Sequence, residues 1–312
     1  MINGNLIFIG ILQALLIALV APLFSGLSRV LRAKMHSRHG PPILQNYFDL
    51  TKLMKRQEIL PAEGNLIFRI TPYLTIVSAS LAVMIIPILI TQSPFGWVGD
   101  MILVVYLLAL IRFFTSLSGL GTGSTFAGIG ARRELLISAL IEPSILLVLF
   151  VMALLAGSTN LGVISSGVAT GKIPYYATVW LGMISFAFVV FVESGRLPFD
   201  LSEAEQEVQE GALTEYSGRD LALMKWGCYM KQLAVVALFL SVFIPFGSAT
   251  NISLLALILS LFAFLAKAAL LYIIAAVLEN SMARVRFVKA PSPMWIAFGI
   301  GLLCFAFYLV QI

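Results

Sequence analysis

Eight long apolar stretches restrict the fold of this chain more than any other feature of its sequence. Each has about 17 to 25 residues, the length that an α-helix needs to cross the hydrocarbon core of a bilayer. Their unbroken apolar character favours helices, because the strands of a membrane barrel alternate apolar and polar residues over shorter segments. We predict membrane spans at residues 5–28, 71–92, 100–119, 134–156, 175–193, 226–247, 252–278 and 294–311.

The composition indicates the same class of protein. Of 312 residues, 60% are hydrophobic and 11% are charged, whereas soluble domains have about 25% charged residues. That leaves too little polar surface for a water-soluble domain. The first apolar stretch lacks a basic start and a small-residue cleavage site, so we expect it to be retained and not removed as a signal peptide. We predict a single all-α, polytopic membrane domain over residues 1–312.

The distribution of Lys and Arg predicts the orientation, because cytoplasmic loops collect positive charge. Seventeen of the 20 Lys and Arg residues lie in, or directly beside, one set of loops. These loops are residues 29–70, 120–133, 194–225 and 279–293. We therefore predict that this basic side faces the cytoplasm, that both termini are periplasmic, and that the chain lies in the cytoplasmic (inner) membrane. The net charge of +5 reflects this topology and does not indicate nucleic acid binding.

The first loop, residues 29–70, is strongly basic, with eight bases against three acids. Pro41 and Pro42 interrupt any helix there. Beyond them Ile43, Tyr47 and Leu50 follow helical spacing, which predicts an amphipathic helix at the membrane interface. The alternative is a basic loop that only touches anionic lipid headgroups.

The third loop, residues 194–225, is acidic, with seven carboxylates against three bases. Glu203, Glu207 and Glu210 would share a helical face, where like charges destabilise a helix by a few tenths of a kcal/mol per pair. A complementary basic surface would favour this cluster, so we predict that the two loops dock into a platform for a soluble partner. A solvated loop without a partner is the alternative. The predicted docking residues are Arg32, Lys34, Arg38, Asp49, Lys52, Asp200, Glu203, Glu205, Glu207, Glu210 and Glu215.

Ionisable side chains within the spans are the second group of candidates, because they cost several kcal/mol unless they are paired or hydrated. Pro143 follows Glu142 and loosens the helix there. We predict a polar path from the platform to the middle of the membrane, along which buried carboxylates can exchange protons. Structural ion pairing, and snorkelling for residues near span ends, are the alternatives. The predicted path consists of Arg112, Glu142, Glu193, Lys231, Lys267 and Glu279.

No cofactor-binding motif is evident in the sequence. Cys228 and Cys304 are too few for an iron–sulfur cluster, which needs four ligands, and they suit apolar packing. His36 and His39 lie in a basic loop, where solvated or phosphate-facing roles outweigh metal binding. We predict no metal site and no redox centre in this chain, and leave open whether it belongs to an enzyme.

Motifs in both long loops resemble the NuoH-type subunit of respiratory complex I, the NADH dehydrogenase subunit 1 family. Glu142 and Glu193 fall where that family carries membrane glutamates associated with its proton route. The motifs are Arg38-x-Gly40-Pro41, Gln45, Asp49, Lys52-Leu53, Leu197-Pro-Phe-Asp200, Glu203-Ala-Glu205, Glu207 and Thr214-Glu-Tyr-Ser-Gly218.

Within this superfamily the chain is most similar to the membrane subunits of energy-converting nickel–iron hydrogenases of the formate hydrogenlyase and hydrogenase-4 types. Residues 32–41, 130–134, 193–200, 203–211 and 279–284 carry that similarity. It implies hydrogenase large and small subunits and a ferredoxin-like iron–sulfur subunit on the cytoplasmic loops, with an antiporter-like subunit beside it in the membrane. The nickel–iron centre and the iron–sulfur clusters would belong to these partners.

The implied function is to anchor the hydrogenase arm in the membrane and to link its redox reaction to proton or other ion translocation. One alternative is the quinone-module subunit of complex I. Another is a stand-alone transporter, which would have repeat-related broken helices around a site at the middle of the membrane.

Overall fold

The computed structural model describes residues 4–61, 63–174 and 176–311, apart from the side chains of Asn5, Trp97, Glu205, Gln206 and Gln311. The described chain is helical, with short 3-10 turns at Gly96–Val98, Gly211–Leu213 and Phe287–Lys289. Its helices are α1 (Gly4–Met35), α2 (Gln45–Met54), α3 (Leu66–Ile85), α4 (Met101–Leu120), α5 (Thr125–Ala156), α6 (Leu161–Ala169), α7 (Ala177–Glu193), α8 (Glu205–Val208), α9 (Gly218–Phe243), α10 (Leu254–Ser281) and α11 (Pro291–Gln311).

Seven of these helices, α1, α3, α4, α5, α9, α10 and α11, are long and apolar enough to cross a membrane. The remaining predicted span, residues 175–193, corresponds to α7, which is apolar but has only 17 residues. The prediction of an all-α, multi-pass membrane protein is confirmed.

Several helix boundaries differ from the sequence prediction by seven residues or more, at the end of α1, the end of α3 and the starts of α5 and α9. The largest difference is at α5. Helix α5 begins at Thr125, nine residues before the predicted span, so most of the expected 120–133 loop is helical. Arg132 and Arg133 lie directly before the apolar run in the sequence, but the helix already begins upstream of them and includes both. The additional turns pack against the 3-10 turn at Gly211–Leu213.

The helix predicted after Pro42 is present as α2. Its Asn46 and Leu50 side chains are buried, and the helix packs against α1 and α9. The Asn46 Nδ2 donates a 3.0 Å hydrogen bond to the carbonyl of Pro22, and the Tyr47 hydroxyl donates to that of Leu19. The basic loop is therefore attached to the membrane helices through side-chain hydrogen bonds to α1.

Helix α9 lies at the centre of the bundle, and 78% of its apolar segment is buried. It packs against α1, α3, α7 and α10. A Cβ atom at Gly227 would lie 2.5 Å from Thr75 Cγ2, so glycine is required for the close approach of α9 to α3. Helices α10 and α11 are peripheral, with only 17% and 22% of their apolar segments buried.

A second close approach attaches the acidic loop to α5. Gly211 has a φ angle of +58°, and a Cβ atom at Gly130 would lie 2.5 Å from its Cα. Both positions therefore favour glycine, the residue without a Cβ. This contact places the acidic loop directly above the charged residues of α4 and α5.

Candidate functional site

Arg112 of α4 is the centre of a buried charge cluster and is 5% exposed. Its Nε lies 3.1 Å from Glu134 Oε1 and its Nη2 lies 3.0 Å from Glu193 Oε2. Its Nη1 donates a 3.2 Å hydrogen bond to Ser138 Oγ. Buried charges persist in proteins when they are paired in this way. The structure thus brings two predicted path residues, Arg112 and Glu193, into direct contact.

Lys231 of α9 completes this cluster. Its Nζ lies 3.4 Å from the same Glu193 oxygen that pairs with Arg112. The two bases and the carboxylates of Glu134 and Glu193 balance one another, and α4, α5, α7 and α9 each supply one of the four groups. The buried charge cluster is therefore a contact between four helices.

Sequence reasoning did not include Glu134 among the path residues, because it lay at the predicted start of a span. The sequence does contain one signal that Glu134 belongs with the path residues, namely its spacing from Ser138 and Glu142. Glu134, Ser138 and Glu142 follow one another at four-residue intervals and so share one face of α5. Two of these three residues, Glu134 and Ser138, contact Arg112.

Glu142 lies about 12 Å further along α5 than Glu134, at 1.5 Å per residue. It lines a small, mostly apolar cavity together with Arg112 and Glu193. Within the described chain no ion pair is formed by Glu142. It lies near the middle of α5, beside the apolar side chains that line this cavity.

On the basic side, a polar cavity of about 330 Å³ lies among α1, α10 and the segment after α7. Arg32 Nη2 pairs with Glu279 Oε1 at 2.9 Å on its wall. The guanidinium of Arg284 makes two contacts with the Asp200 carboxylate, at 3.1 and 2.5 Å. Paired guanidinium contacts of this kind hold a carboxylate in a fixed orientation.

Glu203 connects this polar cavity with the buried charge cluster. It lines the polar cavity and also two small cavities that border Arg112, Glu134 and Lys231. The residue as a whole is exposed, while its carboxyl group is surrounded by protein atoms where these cavities meet. Burial among protein atoms, followed by the nearby Glu134 carboxylate, raises the pKa of Glu203 from 4.5 to about 7. A carboxyl group with this pKa can bind and release a proton near neutral pH.

Successive cavities share lining residues from the basic side to the membrane interior. The polar cavity and the next cavity share Glu203 and Gln232. That cavity shares Arg112 and Glu193 with the one that holds Glu142. We call the acidic groups along this series the carboxylate line. Its members are Glu279, Asp200, Glu203, Glu134, Glu193 and Glu142.

Lys267, another predicted path residue, lies elsewhere. Its Nζ donates 2.9 Å hydrogen bonds to the carbonyls of Ile244 and Phe246, directly after the end of α9. Carbonyl groups at a helix C-terminus lack partners within the helix, and a cation there also complements the helix dipole. The structure does not bring Lys267 to the buried charge cluster.

The basic first loop and the acidic third loop are in contact. The rings of Phe68 and Tyr216 stack with their centroids 4.0 Å apart, and the Ser217 hydroxyl bonds to the backbone of Ile59 at 2.8 and 3.0 Å. Among the described residues, one ion pair joins these two loops. Glu58 Oε1 of the first loop lies 2.7 Å from Arg219 Nε of the third loop.

The other predicted docking residues are distributed as follows. Glu207 pairs with Arg133 of α5, Glu210 with Lys225, and Asp49 with Arg29. The carboxylates of the third loop thus pair with bases outside the first loop, because the folded chain places α5 and the segment after α10 closer to them. Lys34, Arg38 and Lys52 are exposed, Glu215 is half-buried, and the side chain of Glu205 lies outside the described part of the structure.

In the described residues there is no group of three or more His, Cys, Asp or Glu side chains that could hold a metal ion. Cys304 is buried and donates to the carbonyl of Thr178. Cys228 lines the two small cavities beside Glu203.

Comparison with known proteins identifies relatives along the whole chain. A family model described as NADH dehydrogenase matches residues 8–310. Hydrogenase-4 component C of Escherichia coli strain K12 is 47% identical over 98% of this chain and 97% of that protein. Formate hydrogenlyase subunit 4 of the same strain is 43% identical over 95% of this chain and 96% of that protein.

Two further similarities are more distant. A subunit of the NADH-quinone oxidoreductase of Rhodospirillum centenum is 30% identical over 73% of this chain and 71% of that protein. A chain in the structure of a membrane-bound sulfane sulfur reductase, an archaeal respiratory membrane complex, superposes with a TM-score of 0.85. That match covers 97% of this chain and 99% of the other at 24% identity, and it shows the shared fold.

Proposed function

Because this chain belongs to the NADH dehydrogenase family of membrane subunits, we propose that it is the non-catalytic anchor and coupling subunit of a formate hydrogenlyase-like, group 4 nickel–iron hydrogenase complex. The proposal takes the type of complex from the relatives at 47% and 43% identity, which are hydrogenase-4 component C and formate hydrogenlyase subunit 4. It places the chain in the cytoplasmic membrane with its basic side towards the cytoplasm.

The observation that carries the coupling role is the carboxylate line. It extends from a polar cavity on the basic side, through Glu203, to Glu142 among apolar side chains. Ionisable groups inside a membrane domain are costly, and they commonly mark proton or ion routes. In the proposed mechanism a proton enters the polar cavity, binds to the Glu203 carboxylate and moves inward along the line.

The buried charge cluster has a defined part in this mechanism. Arg112 and Lys231 offset the charges of Glu134 and Glu193, so that these carboxylates remain ionised inside the bundle. An additional proton or a shift of Lys231 would change that balance. Redox events in a docked enzyme can therefore alter proton occupancy through the acidic loop, which holds Glu203 and contacts Arg133 of α5.

The docking surface in this proposal is the set of exposed bases on the first loop, Lys34, Arg38 and Lys52. None of them forms an ion pair within the described chain, so their charges are available to an acidic partner surface. The proposed partners are the hydrogenase large and small subunits, a ferredoxin-like iron–sulfur subunit and an antiporter-like membrane subunit. The nickel–iron centre and the iron–sulfur clusters belong to these partners.

Co-purification tests the proposed assembly. The tagged chain, extracted from its native membrane in mild detergent, should retain a nickel-containing subunit and iron–sulfur subunits that mass spectrometry identifies. K34E/R38E/K52E should lose these soluble subunits while still entering the membrane. The matched control is K172E, which reverses an exposed base outside the basic side. A chain that purifies alone from a functional membrane would contradict the proposal.

One observation favours a second candidate, the quinone-module subunit of complex I, since the NADH-quinone oxidoreductase relative from Rhodospirillum centenum is 30% identical. The same purified complex distinguishes the two functions. A quinone-site inhibitor should leave its hydrogen production unchanged if the first proposal holds, and should stop its activity if the second holds.

A further inference from the structure

A second large cavity, of about 470 Å³, lies next to the polar cavity and shares Ser194 and Arg196 with it. Helices α7, α9 and α10 and the segment before α11 form its walls, with Phe188, Phe239 and Leu271 among the apolar lining residues. This volume is in the range of known ligand sites, which are mostly apolar with a few polar groups. The carboxylate line does not pass through it.

The position of the cavity matches one leaflet of a bilayer. It is lined by α7 from Ala187 to Ser194 and by α10 from Leu271 to Leu278. Seven residues of helix correspond to about 10 Å, and half of a hydrocarbon core is about 15 Å. The cavity therefore extends from the basic-side surface over most of that leaflet.

The cavity is open towards the lipid. Helix α10 packs on α1 and α9, whereas α11 packs on α5 and α7, and the cavity lies between these two groups. The lining residues Ile274, Leu278 and Met282 are 46%, 38% and 49% exposed. An acyl chain can thus enter laterally from the bilayer.

The end of the cavity on the basic side carries positive charge. Arg196 lies between this cavity and the polar cavity that holds Asp200 and Glu279. Its guanidinium is 4.6 Å from the centre of the Tyr272 ring, and its Nη2 donates a 2.6 Å hydrogen bond to Ser28 Oγ. Its Nη1 is buried and has no hydrogen-bond partner within the described chain. The exposed bases Arg286 and Lys289 lie in the sequence between two lining residues, Val285 and Pro293 of α11. Residues 282–293 contain no acid.

We propose that this cavity binds one anionic phospholipid, with an acyl chain between α7, α9 and α10 and its phosphate beside Arg196, Arg286 and Lys289. Basic pockets between membrane helices on the cytoplasmic side are suited to anionic headgroups. The lipid would fill the gap between the peripheral helices α10 and α11 and the centre of the bundle. This inference is independent of the identity of the docked enzyme.

Lipid analysis of the intact complex, purified in mild detergent, tests the site. Native mass spectrometry should find about one phospholipid retained, and added dioleoyl phosphatidylglycerol should raise the melting temperature more than dioleoyl phosphatidylcholine does. R286Q/K289Q, which changes exposed side chains only, should lower the affinity for phosphatidylglycerol about five-fold for each base, and the rise in melting temperature should then need a higher lipid concentration. K55Q/R56Q, which removes two exposed bases of the first loop, is the matched control and should leave the effect unchanged.

A275W tests the cavity itself, because Ala275 lines it and an indole ring would fill it. This variant should lose the retained lipid. Lipid stoichiometry that A275W leaves unchanged would overturn the assignment of the cavity. Equal stabilisation by the two lipids, or a quinone recovered in place of the phospholipid, would overturn the assignment of the ligand.

Discussion

Two lysines within apolar helices, Lys231 and Lys267, have entirely different partners. Lys231 of α9 lies 3.4 Å from the Glu193 carboxylate in the buried charge cluster. Lys267 of α10 donates to two backbone carbonyls after the end of α9. The first is surrounded by groups that can change charge, and the second by groups that cannot. An ionisable residue in a span therefore becomes a candidate for charge movement only when its partners are known.

The largest effect is expected when Arg112, the base at the centre of the buried charge cluster around Lys231, is replaced. R112M would leave Glu134 and Glu193 buried with Lys231 alone, and breaking a buried ion pair costs about 3–5 kcal/mol. We expect a large drop in the melting temperature of the purified complex. R132M, at an exposed position of α5, should change it little. An unchanged melting temperature in R112M would rule out the cluster as described.

K231M should have the next largest effect. Glu193 keeps its contact with Arg112, so we expect a loss of about 1.5–3 kcal/mol, the range for hydrogen bonds to charged groups. Proton uptake by vesicles that contain the active complex should fall to background. Uptake at the wild-type rate would remove Lys231 from the coupling mechanism.

K267M is the matched variant on the other side of the comparison. It should destabilise the protein by about 1–2 kcal/mol, because two carbonyl groups lose their donor. Proton uptake per hydrogen produced should equal that of the wild type. If K267M stopped uptake while the protein remained folded, the two lysines would not differ in role.

A smaller and pH-dependent effect is expected for E203Q. The pKa of Glu203 is raised from 4.5 to about 7 by folding. The folded state therefore binds more protons between these values, and its stability relative to the unfolded state decreases as the pH rises through this window. E203Q removes this dependence. Its melting temperature relative to wild type should be higher at pH 8 than at pH 5, and a constant difference would contradict the shift.

The smallest effect is expected at the surface pair of Arg133 and Glu207. Glu207 is about half exposed, and exposed ion pairs contribute about 0.2–1 kcal/mol. A double-mutant cycle with R133Q and E207Q, read by thermal unfolding, should give a coupling energy in that range. A value above about 3 kcal/mol would indicate that the acidic loop is attached to α5 mainly by this pair.

The sequence was sufficient for the helices and for part of the site. Apolar length predicts the membrane helices directly, since each span needs a certain number of apolar residues. The cost of charges in apolar helices predicts Arg112, Glu193 and Lys231 as site residues. In the structure both bases contact the Glu193 carboxylate.

The pairing of charges could not be predicted, because it depends on how the helices pack. Lys267 and Lys231 look alike in sequence, and only the position of the α9 terminus separates their roles. The pairing of Asp200 with Arg284 and of Glu207 with Arg133, in place of first-loop bases, likewise depends on which segments the fold brings above the acidic loop.

The most direct test of the coupling role is proton uptake by proteoliposomes that contain the intact complex with E142Q. Glu142 is the innermost group of the carboxylate line, so its loss should abolish uptake while the docked enzyme still produces hydrogen. E63Q, which removes an exposed carboxyl outside the line, should take up protons at the wild-type rate. Wild-type uptake in E142Q would contradict the proposed proton route.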